Sequence, residues 1–140
     1  MPRTISANAI QMSKKRFGPF WMYIDWRIAD VLTVDLPRSY YDVWHDRAVF
    51  HFLTSEEDRR AYVEKVAYAV KPGGHVIIAT FGPEGPTKCS GLDVVRYDAD
   101  TLHDEFGKSF KMLDSHTEVH HTPWGANQQF LYCLCRVEQL

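Results

Sequence analysis

The residues best placed to do chemistry are three consecutive polar side chains, His45, Asp46 and Arg47, at the end of a predicted strand. Open α/β sheets bind their ligands at the carboxyl ends of the strands, which is where this triplet stands. The imidazole can exchange a proton near neutral pH, and the guanidinium can pair with an anionic substrate. The alternative is structural: Asp46 and Arg47 form a surface ion pair, and His45 caps a loop.

Histidines late in the chain form a second group of potential ligands. On a strand, His116 and His120 would share one face with Glu118, and His121 follows directly. A closed zinc site needs four converging ligands from more than one element, and this segment offers no such set. We therefore predict exposed strand histidines and no metal site.

The cysteines indicate a reducing compartment. The chain has three, with Cys89 in a loop and Cys133 and Cys135 two residues apart in an apolar segment. An odd number and this spacing favour buried free thiols over a disulfide. The first residues also lack the apolar core of a secretory signal. We therefore expect a cytoplasmic protein.

The elements that must position these residues alternate between strands and helices. A helix is predicted from a capping box at Thr54 and Glu57, and a shorter one from Asp98 to Gly107. Helices between strands favour parallel crossovers, so we predict an α/β fold that ends in an antiparallel strand pair. A Gly- and Pro-rich segment, residues 82–96, is predicted to be a mobile loop. The predicted strands are residues 24–31, 41–48, 75–81, 110–120 and 128–138.

Length and charge limit the class of protein. The chain has 140 residues, of which 45% are hydrophobic, and this suits a single globular domain. Its formal net charge of -2 gives no electrostatic reason to expect a nucleic-acid or membrane partner.

Five segments in a fixed order resemble the class I S-adenosylmethionine-dependent methyltransferases, and most closely a small-molecule-type subfamily. The resemblance covers roughly Ile24 to Val137 and implies a Rossmann-like methyltransferase sheet with S-adenosylmethionine as cofactor. The five segments are Tyr41–Leu53 (YDVWHDRAVFHFL), Lys71–Phe81 (KPGGHVIIATF), Cys89–Leu92 (CSGL), Val95–Tyr97 (VRY) and His121–Gly125 (HTPWG).

The resemblance also implies parts that this sequence lacks. Members of the family have a Gly-rich turn whose backbone approaches the methionine moiety of the cofactor, but the sequence contains no Gly-x-Gly. We therefore expect a truncated sheet, with residues 1–23 as a divergent arm before a single domain at residues 24–140. The cofactor would be S-adenosylmethionine by resemblance, or none in this chain.

The resemblance assigns roles to individual residues. Asp30 and Val31, at the end of the first predicted strand, would be vestigial cofactor-binding residues beside the adenine amine. His45, Asp46 and Arg47 would border the transferred methyl group and the substrate, as catalytic candidates.

Two functions follow from these expectations. One is a shortened methyltransferase completed by another copy or chain, and the other is a non-catalytic oligomeric or binding domain descended from one. Loss of the central strand would leave a strand edge unpaired, and such an edge pairs readily with another chain. We therefore predict a homodimer through this edge and an N-terminal aromatic cluster at residues 17–23.

Overall fold

The computed structural model describes residues 7–138, with residues 7–10 and 21 described in their backbone alone. It contains two compact units, one ending at Asp35 and the other beginning at Leu36. The predicted arm therefore lies partly outside the described residues, at residues 1–6. Between residues 7 and 138, no helix is long and apolar enough to cross a membrane.

The described part of the first unit begins with two helical segments. Helix α1 spans Ala7–Phe17, and a 3₁₀ helix follows at Gly18–Tyr23. The ring of Phe17 packs edge-on against Trp26, with 5.8 Å between ring centroids. Local aromatic packing therefore links the helix to the irregular segment after it.

The prediction of a strand at residues 24–31 is wrong. Asp30 instead opens a turn: the N–H groups of Thr33 and Val34 donate to its carbonyl at 3.1 and 2.9 Å. Its carboxylate also accepts the N–H of Leu32 at 2.9 Å. An aspartate that bonds the backbone two residues ahead favours a turn, and this local interaction outweighs the strand tendency of the flanking apolar residues.

The second unit is built on a four-stranded sheet in the order β1-β2-β6-β5. Strand β1 runs parallel to β2, whereas β6 is antiparallel to both β2 and β5. The predicted α/β class with an antiparallel C-terminal pair is therefore confirmed. The elements of this unit are β1 (Tyr41–Arg47), a 3₁₀ helix (Phe50–Phe52), α2 (Glu56–Ala69), β2 (Val70–Phe81), β3 (Lys88–Cys89), β4 (Leu92–Asp93), α3 (Ala99–Phe106), β5 (Phe110–His121) and β6 (Asn127–Val137).

The helices begin at side-chain caps. Ser55 is the N-cap of helix α2, and its hydroxyl accepts the N–H of Asp58 at 3.1 Å. The predicted N-cap at Thr54 is therefore one residue too early. Helix α3 has the predicted cap: Asp98 accepts the N–H of Thr101 at 2.8 Å. Both caps satisfy N–H groups that the first turn of a helix cannot pair internally.

The two faces of the sheet differ in what covers them. Val76 and Ile78 of β2 are buried on the face that α2 and α3 cover, which we call the helix-covered face. The alternate residues, among them Ile77, belong to the outer face, where Arg47 and His116 are exposed. This alternation follows from the period of two along a strand. It separates neighbouring residues of the candidate triplet onto different faces.

Candidate functional site

Asp46 lies on the helix-covered face and is only 6% exposed. Its carboxylate accepts the N–H groups of Val49 at 2.9 Å and Phe50 at 3.0 Å, and the hydroxyl of Tyr62. Burial raises the pKa of the carboxyl, and these hydrogen bonds oppose the rise. The predicted alternative of a surface ion pair between Asp46 and Arg47 is therefore wrong. Asp46 is a positioning residue that holds the backbone leaving β1.

Tyr62 on α2 completes this buried network. Its hydroxyl donates to Asp46 and accepts the indole N–H of Trp44 at 2.9 Å. Burial and the negative charge of Asp46 both raise the pKa of Tyr62 well above its ordinary value. The sequence analysis missed Tyr62, although its spacing of four from the buried Val66 on the same helix face could have indicated it.

Arg47 crosses the outer face of the sheet. Its Nε donates to the hydroxyl of Tyr132 at 3.2 Å, and its guanidinium carbon lies 4.3 Å from the ring centroid of Phe130. Both partners belong to β6, two strands away from β1. The residue between them on β2 is Ala79, whose small side chain leaves space for the long arginine to pass.

His45 is exposed on β1, two residues before Arg47, and shares the outer face with it. The structure therefore brings His45 and Arg47 to one face and turns Asp46 to the other. Of the three catalytic candidates, only the histidine and the arginine can meet a ligand on the outer face.

An aromatic and imidazole surface adjoins Arg47. The ring of His116 stacks on Tyr132, with 5.1 Å between centroids and 8° between planes, and His120 meets Phe130 edge-on at 6.2 Å. Beside Tyr132 is a shallow groove of about 220 Å³, which Ile77, Leu134 and Asp114 also line. The described residues contain no group of three His, Cys, Asp or Glu side chains that could hold a metal ion.

His51 is fully buried in the middle of the 3₁₀ helix after β1. Its Nδ1 accepts the N–H of Phe81 at 3.0 Å, so the proton of the neutral ring lies on Nε2. Within residues 7–138, this Nε2 has no hydrogen-bond partner. Burial lowers the pKa of His51 to about 4. Its ring packs against Phe81 and stays uncharged at neutral pH.

The vestigial cofactor residues lie in the first unit. Asp30 and Val31 are both half-buried, and the Asp30 carboxylate bonds within its own turn. They belong to the first unit, whereas His45, Asp46 and Arg47 belong to the second. The role of Asp30 and Val31 in binding an adenine stays a prediction.

The cysteines are free thiols. Cys133 and Cys135 are buried on the helix-covered face, where burial raises the pKa of the first to about 12 and that of the second to about 11. Cys89 is half-buried. The prediction of buried free thiols is confirmed for the β6 pair, and neither is a ready thiolate nucleophile.

Comparison with known proteins gives the family. A family model described as a methyltransferase domain matches residues 3–78, which is more than half of the chain. The chain therefore belongs to the methyltransferase-domain family. No curated protein matches it.

Solved structures of methyltransferases share its fold. A SAM-dependent methyltransferase from Methanosarcina mazei superposes with a TM-score of 0.71 at 11% identity, covering 97% of this chain and 80% of that one. The N-methyltransferase NodS from Bradyrhizobium japonicum, in complex with S-adenosyl-L-homocysteine, gives 0.73 at 15% identity, with coverages of 96% and 64%. A Burkholderia thailandensis 1,6-didemethyltoxoflavin N1-methyltransferase, with that compound and S-adenosylhomocysteine bound, gives 0.71 at 14% identity, with 96% and 59%. This chain thus spans less than two thirds of the last two structures.

Proposed function

We propose that this chain is a small-molecule-type methyltransferase domain that retains the substrate side of the site and does not bind S-adenosylmethionine by itself. The observation that carries the proposal is the contrast between two loops at the carboxyl ends of β1 and β2. Hydrogen bonds to Asp46 hold the loop after β1, which follows directly on Arg47. In contrast, the side chain of Gln129 occupies the space beside the loop after β2.

The ordered loop after β1 supports a retained substrate side. Asp46 pairs with two backbone N–H groups beyond the strand, and Tyr62 fixes the carboxylate from α2. Such a network holds Arg47 and His45 in place without using their own polar atoms. Substrates of open α/β sheets bind at this end of the strands. The 1,6-didemethyltoxoflavin bound to the Burkholderia enzyme is a small molecule, which agrees with this substrate class.

The loop after β2 does not fit the methionine end of the cofactor. A Gly-rich turn serves a cofactor only if its backbone is open to approach. Here Gln129 of β6 fills the space: its Oε1 lies 2.6 Å from the position of a Cβ on Gly82 and accepts the N–H of Glu84 at 2.8 Å. The sequence contains no Gly-x-Gly, in this loop or in any other segment. We therefore derive no methyl-transfer step through this chain alone.

Calorimetry with S-adenosylhomocysteine tests this proposal. We expect no binding tighter than about 1 mM, which corresponds to a binding free energy of about -4 kcal/mol. The Asp30→Asn variant is the matched control, and it should behave like the unaltered protein. A micromolar dissociation constant overturns the proposal, and its weakening in Asp30→Asn would place the adenine site at Asp30.

The edge position of β1 favours a second function, a domain kept as an oligomer. Among the described residues, β1 pairs only with β2 in the sheet, and the N–H of Ala48 donates to the carbonyl of Ala79 of β2 at 2.9 Å. Backbone groups alternate in direction along a strand, so those of Val43, His45 and Arg47 point to the open edge. We propose a homodimer that pairs these edges, in agreement with the closed symmetry of most oligomers.

Free cysteines support one further part of the proposal, a cytoplasmic location. The structure shows Cys89, Cys133 and Cys135 as free thiols, and such thiols persist in reducing compartments.

A further inference from the structure

We propose that the outer face of the sheet binds a planar aromatic carboxylate, with the acid on Arg47 and the ring in the groove beside Tyr132 and His116. The inference rests on the proposed function in one respect: it names the substrate class for the retained substrate side. The binding itself needs no cofactor, so it can be tested separately.

The register of the sheet aligns the residues that would make this site. Arg47 pairs with Ala79, Ala79 with Tyr132, and Tyr132 with His116, in one line across all four strands. Directly paired residues project from the same face, and neighbouring strands are about 4.8 Å apart. A cation, a small residue, a phenol and an imidazole therefore form one continuous row on the outer face.

Arg47 offers an uncompensated positive charge. Within residues 7–138, its guanidinium makes one hydrogen bond, from Nε to Tyr132, and no carboxylate lies within salt-bridge distance. The guanidinium carbon of Arg47 lies 4.3 Å from the centroid of the Phe130 ring, in a cation–π contact. The two terminal nitrogens have the fork geometry that pairs with a carboxylate in a bidentate manner. Because Phe130 and Tyr132 hold the guanidinium plane of Arg47 in place, a carboxylate is the ligand group that fits it best.

An apolar groove adjoins Tyr132, whose hydroxyl accepts the Nε–H of Arg47. Its volume of about 220 Å³ is sufficient for a single aromatic ring, and Ile77 and Leu134 give it an apolar lining. Tyr132 and the exposed His116 stack on each other with 8° between their planes, and a planar ligand can extend this stack. The carboxylate of Asp114 at the groove repels a ligand's acid and so orients that acid toward Arg47.

Titration of the purified protein with benzoate, followed by amide chemical shifts, tests the site without any cofactor. We expect millimolar binding, with shifts at Ile77, His116 and Tyr132. Two probes separate the contributions: cyclohexanecarboxylate keeps the charge without the planar ring, and benzamide keeps the ring without the charge. Each should bind at least about fivefold more weakly than benzoate.

Two variants and a matched control complete the test. Arg47→Lys keeps the charge but loses the fork and should weaken benzoate at least about fivefold. Tyr132→Phe keeps the ring but frees Nε of Arg47, and it should weaken benzoate about twofold to threefold. Arg60→Lys, at an exposed position of α2 where Arg60 pairs with Glu56, should leave binding unchanged.

Clear outcomes would overturn the inference. They are no shift with benzoate at about 20 mM, equal affinity for cyclohexanecarboxylate, or equal affinity in Arg47→Lys. Benzoate binding in the absence of any affinity for S-adenosylhomocysteine supports this inference and leaves the cofactor part of the proposed function intact. The failure of one is thus distinguishable from the failure of the other.

Discussion

Asp46 and Arg47 are neighbours in sequence with opposite environments. The carboxylate of Asp46 is buried and accepts three hydrogen bonds, whereas the guanidinium of Arg47 lies exposed over an aromatic ring. The difference arises from the alternation of side chains along β1. One residue therefore organises the loop, and the other is available to a ligand.

His51 leads to a prediction about acid stability. Its pKa in the folded protein is about 4, lowered by burial from an ordinary value of 6.5. The unfolded chain therefore takes up a proton below pH 6.5 that the folded protein refuses, so stability is full above that pH and is lost as the pH falls toward 4. The variant His51→Asn keeps an acceptor for the N–H of Phe81 and removes the titration.

Urea unfolding at about pH 7.5 and about pH 4.5 measures the effect. Between these conditions, the unaltered protein should lose about 2 kcal/mol more unfolding free energy than His51→Asn. His120→Asn, at an exposed histidine of β5, is the control and should lose as much as the unaltered protein. An equal loss in His51→Asn would show that His51 does not govern the acid sensitivity.

The loop between β2 and α3 is hydrogen-bonded at its two ends, whereas most residues at its tip are exposed. The N–H of Gly82 donates to Gln129 at 3.0 Å, and Arg96 donates to the carbonyls of Pro83 and Gly85 at 3.1 and 3.2 Å. The tip contains only the two-residue strands β3 and β4. The prediction of a mobile segment at residues 82–96 is therefore narrowed to the tip.

Amide hydrogen exchange tests this difference within one loop. We expect the amides of residues 87–93 to exchange at least about tenfold faster than those of Val76–Ala79, because short exposed hairpins open locally at low free energy. Gly82, bonded to β6, should exchange more slowly than the tip. Equal protection across residues 82–96 and β2 would contradict the expectation.

At the scale of the whole molecule, the prediction is dimerisation through the β1 edge. Sedimentation velocity at about 50 µM should show a dimer, because an unpaired strand edge is a template for pairing. The interface should bury more than about 1,000 Å² in total. The exposed aromatic residues of the first unit, Phe20 at 66% and Tyr23 at 83% exposure, provide a second apolar surface for it.

A proline in the edge strand is the discriminating variant. Val43→Pro removes an N–H that points to the open edge and spares the bonds between β1 and β2, so it should weaken the dimer at least about tenfold. Val43→Thr keeps the N–H and the branched side chain and should dimerise normally. A monodisperse monomer of the unaltered protein at this concentration would defeat the proposal.

Local signals in the sequence determined the class of fold and most elements. Patterns among residues close together in the sequence predicted several elements that the structure contains. They are the helix cap at Asp98, the apolar strand β2 and the long strands β5 and β6. The segments around Tyr41–Leu53 and Lys71–Phe81 likewise indicated the methyltransferase family that the family model shows. These features depend on near neighbours, which a linear sequence displays.

Only the tertiary structure decided what the candidate residues do. Asp46 became a positioning residue because α2 places Tyr62 against it, 16 residues further along the chain. Arg47 gained its aromatic support because β6 pairs beside β2 in a register that brings Tyr132, 85 residues away, opposite Ala79. A one-residue slip in that register would move Tyr132 to the other face. Pairing between distant strands fixes such contacts, and no local pattern in the sequence records it.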